Sequence, residues 1–166
     1  AAAKAWQTAS RAFESLIGNT TAFSRLRGVL ERGRPAHAWL FAGPEGVGKR
    51  TAALEFIRVL GCRLILIEKP EDRHEILIAQ IQELIRELGM TSREGRAILI
   101  NDAHRMSEEA MNALLKTLEE PPPRTLIFLV SSQPGRLLGT IRSRCQTVHY
   151  SPLLEDEVAA WARKEL

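Results

Sequence analysis

The run Ala38-Trp-Leu-Phe-Ala-Gly43-Pro-Glu-Gly-Val-Gly-Lys-Arg50 joins an apolar pentapeptide to a glycine-rich turn and then to a helical pattern. Ala38–Ala42 reads as a buried strand, and Arg50–Leu60 reads as a helix. The turn between them matches G-x-x-x-x-G-K over Gly43–Lys49, in the strand-to-helix context that this motif requires. Gly43, Gly46 and Gly48 let backbone N–H groups turn inward around phosphate oxygens, the helix start adds partial positive charge, and Lys49 can reach the outer phosphates. A merely tight turn would need no lysine at that spacing.

Outward from this stretch, apolar strands alternate with helical stripes. Leu64–Ile67, Arg96–Asn101, Thr125–Val130 and Gln146–Tyr150 read as four further strands. Phe23, Leu26, Val29 and Leu30 recur at helical spacing and predict a helix over Thr20–Arg32. Leu77, Ile81, Leu84, Ile85 and Leu88 form a second stripe, stopped at Gly89. Ser107 is placed to cap a third helix with Ala110, Met111, Leu114, Leu115 and Leu118 on its buried face, and Pro121-Pro-Pro123 ends it. Such alternation predicts an α/β domain with a five-stranded parallel sheet and helices on both faces. Residues 1–10 are expected to be an N-terminal tail, 11–151 the nucleotide-binding core, and 152–166 the start of a truncated further domain.

Composition fits one ordinary globular domain. The chain has 166 residues, 45% hydrophobic and 26% charged, which excludes disordered and fibrous classes. Its formal charge of +3 is too small to establish nucleic-acid binding. No apolar run approaches the ~20 residues of a membrane span, and Ala1–Ser10 lacks the apolar segment of a signal peptide, so a cytoplasmic protein without membrane contact is expected. Cys62 and Cys145 are far apart and form no disulfide framework.

Two features set limits on the chemistry. Arg50 stands where a Ser or Thr hydroxyl would bind Mg²⁺, and the hydroxyl of Thr51 is turned away by about 100°. Ile98-Leu-Ile-Asn-Asp102 places a carboxylate at a strand end, where it can support Mg²⁺ through water, but the next residue is Ala103 rather than a water-orienting acid. Losing such a group removes about 10²–10⁴-fold from a hydrolytic step. His104 is read as a surface or capping residue rather than a replacement base.

Four segments carry a resemblance: Phe13-Glu-Ser-Leu-Ile-Gly-Asn19, Arg34-Pro-Ala-His-Ala-Trp-Leu-Phe-Ala-Gly43, Asn112-Ala-Leu-Leu-Lys-Thr-Leu-Glu-Glu-Pro-Pro122 and Ile141-Arg-Ser-Arg-Cys145. From about Phe13 to Tyr150 the chain resembles the clamp-loader branch of the AAA+ family, and the last two segments resemble bacterial DNA polymerase III clamp-loader subunits in particular. The Asp102-Ala103 pair and the imperfect loop look like the delta-prime type, since gamma/tau motors carry Asp-Glu and Lys-Ser or Lys-Thr. The resemblance implies a stator in a ring of five, with gamma/tau and delta subunits, the sliding clamp and primer-template DNA as partners. It also implies that Arg144 of Ser143-Arg-Cys145 acts in trans on ATP held by a neighbour, and that Ser131-Ser132, with Ser132 at the site, senses the terminal phosphate.

The family's cofactor is ATP with Mg²⁺, which this chain is expected to hold weakly or not at all. Its four-cysteine zinc module would begin near Cys62, but Cys62 runs directly into Arg63-Leu64, so no metal is expected in the chain. Arg93, Arg96 and Arg105 are candidate DNA-phosphate contacts, with solvated surface arginines as the plainer reading. Cys145 reads as a packed small residue rather than a nucleophile. Two other readings share the loop: a gamma/tau-type ATPase rescued by Thr51 and another acid, and a regulatory ATP-binding module. Asp102-Ala103 argues against the first, and the segments Asn112–Pro122 and Ser143–Cys145 argue against the second.

Overall fold

A computed structural model describes residues 37–151 together with Ala159, Ala162 and Arg163. Expectations for the tail, for Phe13–Asn19 and for the helix over Thr20–Arg32 lie outside the described residues, as does most of Pro152–Leu166; Ala159, Ala162 and Arg163 are helical.

The element order is β1 (Ala38–Ala42), α1 (Lys49–Leu60), β2 (Arg63–Ile67), α2 (Ile78–Leu88), β3 (Arg96–Ile100), α3 (Glu108–Glu119), β4 (Thr125–Ser131), α4 (Gly139–Arg142) and β5 (Gln146–His149). The five strands form one sheet in the order β2-β3-β4-β1-β5, and every pairing is parallel. Each element expected within these residues is present, with boundaries shifted by about one residue.

Both faces of the central strands are covered, which is why they read as continuous apolar runs rather than alternating ones. In β1, Ala38, Leu40 and Ala42 join Ile98, Ile100, Ile127 and Leu129 in a core shared with α2, α3 and α4. Trp39 and Phe41 face the other way, into a core with Phe128, Val130 and the α1 residues Ala52, Ala53, Phe56 and Ile57. There Trp39 and Phe128 each meet Phe56 edge to face, at ring separations of 6.0 and 5.5 Å.

Two helix expectations need correction. In α2, Ile81, Leu84 and Leu88 are buried, but Leu77 lies before the helix and Ile85 is exposed, so the stripe is narrower than its spacing implied. In α3, Leu115 is only half-buried and Thr117 takes the inward place. Between β4 and β5 lie a 3-10 turn, Pro134–Arg136, and the one-turn α4, both too short to leave a periodic signal.

The sheet order puts β1 between β4 and β5, while the chain leaving β1 crosses to the far edge at β2. That reversal opens a crevice at the C-terminal ends of the central strands, the place where α/β sheets bind ligands. The loop that follows β1 stands there.

Candidate nucleotide site

Gly43 leaves β1 with φ +154°, and its N–H donates to the Ser131 carbonyl at 3.2 Å, tying the loop to the end of β4. A Cβ at Gly43 would lie 2.4 Å from the Tyr150 carbonyl oxygen, so the loop can pass β5 only with glycine here. Gly46 (φ +77°) and Gly48 (φ +88°) adopt left-handed conformations over open space, and this turns the loop before α1 starts. Val47 packs into the core beneath and anchors the loop.

Lys49 opens α1 and is 6% exposed, with its Nζ donating to the Pro44 carbonyl. Burial holds its ammonium below the usual lysine range, while the negative charges of Asp102 and Glu45 oppose that shift. Arg50 and Thr51 are exposed. The Arg50 guanidinium reaches the end of β2, with Nε 3.0 Å from Glu68 Oε1, and Asn101 Nδ2 donates to the same oxygen at 3.4 Å.

Beyond β3, the Asn101 N–H continues the ladder to the Ile67 carbonyl at 2.9 Å. Asp102 then turns the chain at φ +50° into the 3-10 turn Ala103–Arg105. Asn101 and Asp102 are half-buried, whereas Ala103 is fully buried in the core. This changes the reading of Asp102-Ala103. The Ala103 side chain packs inward, so an acid at that position would be buried in the core rather than aligned with a water at the loop. The deficit falls instead on Arg50 and on the neutral amide of Asn101.

His104 is also not a surface residue. It is 2% exposed, its Nδ1 lies 2.9 Å from Ser131 Oγ, and its buried Nε2 has no hydrogen-bond partner. Burial pushes its pKa below the usual histidine value; Asp102 and Glu45 oppose the shift, and Arg105 and Arg136 reinforce it. The neutral ring results. Ser131 Oγ also accepts from the Gln133 N–H at 3.1 Å. Ser131 therefore carries the inward hydroxyl at the end of β4, while Ser132 is half-buried in the bend beyond it. A sequence signal for the His104–Ser131 pair was lacking, because the two are 27 residues apart.

Arg144 lies at the other edge of the sheet. It precedes β5, whose Gln146 pairs with Trp39 at the start of β1, whereas the phosphate loop leaves the end of β1. One strand length of roughly 13–17 Å separates these edges. Its guanidinium is about half-exposed, with Nη2 2.9 Å from Glu119 Oε1 at the end of α3. Cys145 is largely buried, which raises its thiol pKa to about 11 and leaves it no thiolate at neutral pH.

Of the arginines considered for DNA, Arg93 is exposed, and Arg105 is half-buried with Nη1 3.4 Å from the His74 carbonyl. Arg96 is neither a phosphate contact nor a solvated residue. It is buried, and it donates to the carbonyls of Glu87, Leu88 and Met90 at 3.0–3.3 Å, closing the C-terminal end of α2.

The loop, with its turned glycines and Lys49, fits the phosphates of a nucleotide. Its surroundings do not fit a divalent ion: Arg50 brings positive charge where a hydroxyl would ligate, Asn101 is neutral, Glu68 is already shared by both, and the charges of Asp102 and Glu45 act on the Lys49 ammonium. Among the described residues no group of His, Cys, Asp and Glu is gathered for a metal, and no helix is long and apolar enough to cross a membrane.

The parallel β2-β3-β4-β1-β5 sheet, with a phosphate loop after β1 and an acidic turn after β3, defines a P-loop protein of the AAA+ type. A solved structure of a DNA polymerase III gamma subunit-related protein from Thermotoga maritima shares this fold, with a TM-score of 0.62 at 22% identity over 81% of this chain and 47% of that one. A family model described as DNA polymerase III, delta subunit, matches residues 62–154. The chain is 38% identical to DNA polymerase III subunit delta′ of Bacillus subtilis, over 75% of this chain and 45% of that relative. Against the tau subunit of the same organism it is 28% identical, over 92% of this chain and 31% of the relative. The chain belongs to the DNA polymerase III delta subunit family, and within it to the delta-prime type of clamp-loader subunit. It spans less than half the length of either curated relative.

Proposed function

We propose that this chain is the nucleotide-site core of a clamp-loader subunit acting in cytoplasmic DNA replication, a stator that turns over little or no ATP itself and completes the site of a neighbour. In this reading residues 11–151 form the core and 152–166 begin a lid. The subunit assembles with gamma/tau motors and delta, and helps to place the sliding clamp on primer-template DNA. Arg144 reaches the γ-phosphate of ATP bound by the adjacent motor, where a planar, permanently charged guanidinium offsets negative charge developing in phosphoryl transfer.

The observation that carries this reading is the position of Arg144. An exposed arginine at the sheet edge opposite its own phosphate loop cannot serve that loop, yet it is free to serve a site on another subunit. Its resting partner is Glu119 at the end of α3, which a phosphate would displace. At the chain's own loop, Arg50 and Asn101 replace groups that hydrolysis needs.

The test is Arg144→Ala in a loader reconstituted with gamma/tau and delta. Arginine fingers contribute about 10³–10⁵-fold at one site, so turnover at the adjacent motor should fall by at least tenfold while assembly by sizing is unchanged. Unchanged turnover in an intact assembly would remove the role given to Arg144.

A further inference from the structure

Arg50 is the second residue of α1, so it stands beside the phosphate loop at the position from which P-loop proteins present a metal-binding hydroxyl. Here that position carries a fixed positive charge. Its guanidinium is 45% exposed and is held by Glu68, which also accepts from Asn101. The three side chains come from the start of α1 and the ends of β2 and β3, so they gather at the C-terminal edge of the sheet with the loop. A cation approaching this cluster meets a guanidinium, an amide N–H and a carboxylate whose charge is already compensated, while the neighbouring carboxylates Asp102 and Glu45 act on the Lys49 ammonium. An anion meets two donors.

We propose that the loop takes nucleotide phosphates without a divalent ion, with the Arg50 guanidinium supplying the positive charge that Mg²⁺ supplies elsewhere. Glu68 is the resting partner that a phosphate oxygen displaces. Arginine suits the exchange because it stays charged at all accessible pH values and its planar fork matches two oxygens of a phosphate as well as those of a carboxylate. Lys49, whose ammonium is buried and bonded to the Pro44 carbonyl, provides the inner contact, and Arg50 provides the outer one. The proposal rests on the loop being a nucleotide site and specifies what that site requires.

The test is calorimetric titration of ATP into the intact protein, once with excess EDTA and once with excess Mg²⁺. Affinity should agree within about twofold between the two buffers. In EDTA, Arg50→Ala should weaken binding by about tenfold or more, the loss expected for a charge-assisted hydrogen bond. Glu68→Gln should tighten it severalfold by freeing the guanidinium. Both side chains are exposed, and circular dichroism of each variant checks that the fold is retained. ATP binding seen only with Mg²⁺, or an Arg50→Ala protein that binds as well as the parent in EDTA, overturns metal independence while leaving the nucleotide site in place. No binding in either buffer overturns both.

Discussion

Among single residues, His104 carries a distinct consequence for stability. Its folded pKa lies below its unfolded value of about 6.5, so the unfolded chain binds the proton more readily. The contribution of the neutral ring is therefore fully present above about pH 6.5 and is lost as pH falls through the folded pKa. Thermal melts between pH 7.5 and 5 should show falling stability, and His104→Gln should flatten that slope by keeping a neutral partner for Ser131 Oγ. An equal slope in the variant would place the acid sensitivity elsewhere. Lys49 calls for a different measurement. Lys49→Met keeps an apolar stem in the buried position, so folding should persist while ATP affinity drops by about tenfold or more in titration. His104 was legible as a residue but not as an environment: nothing in Asp102-Ala-His104 states that the turn after β3 brings the imidazole to Ser131 at the end of β4.

At the scale of elements, the ends of helices give the sharpest predictions. Ser107 Oγ accepts the Ala110 N–H at 3.2 Å at the start of α3, where Glu108 and Glu109 complement the helix dipole. Ser107→Ala should cost about 1 kcal/mol in chemical denaturation. The far end of α2 is closed from outside by Arg96, so Arg96→Leu would leave three carbonyls without their buried donor. A larger loss, about 1–3 kcal/mol, is expected by the same measurement. The cap at Ser107 is local, so spacing alone predicts it. The closure by Arg96 joins the start of β3 to a helix end six to nine residues earlier, through a loop whose path the spacing does not encode.

Over the whole molecule, the tightest requirement is where the phosphate loop passes β5. Gly43→Ala would force a Cβ to 2.4 Å from the Tyr150 carbonyl oxygen, in a conformation already unfavourable for an L side chain. Relief requires β5 or the loop to move. Backbone strain of about 1–3 kcal/mol should lower the melting temperature by several degrees and disturb the loop, with ATP titration reporting the second effect. All five strands are parallel, so the phosphate loop and Arg144 also fall at opposite edges of the sheet. The loop lies at the C-terminal side and Arg144 at the N-terminal side.

The sequence by itself determined the class of fold, the strand-to-helix phosphate loop, the cap at Ser107 and the Ser143-Arg-Cys145 segment, because each rests on local periodicity or on a contiguous motif. Only the tertiary structure decided that Ala103 faces the core, that His104 pairs with Ser131, that Arg96 is buried, and that Arg50 shares Glu68 with Asn101. The burial of Arg96 follows the path of the loop after α2, and the other outcomes depend on which strands become neighbours. The order β2-β3-β4-β1-β5 brings together residues that lie 18 to 33 positions apart, and hydrophobic spacing specifies that a strand is buried without specifying what lies beside it.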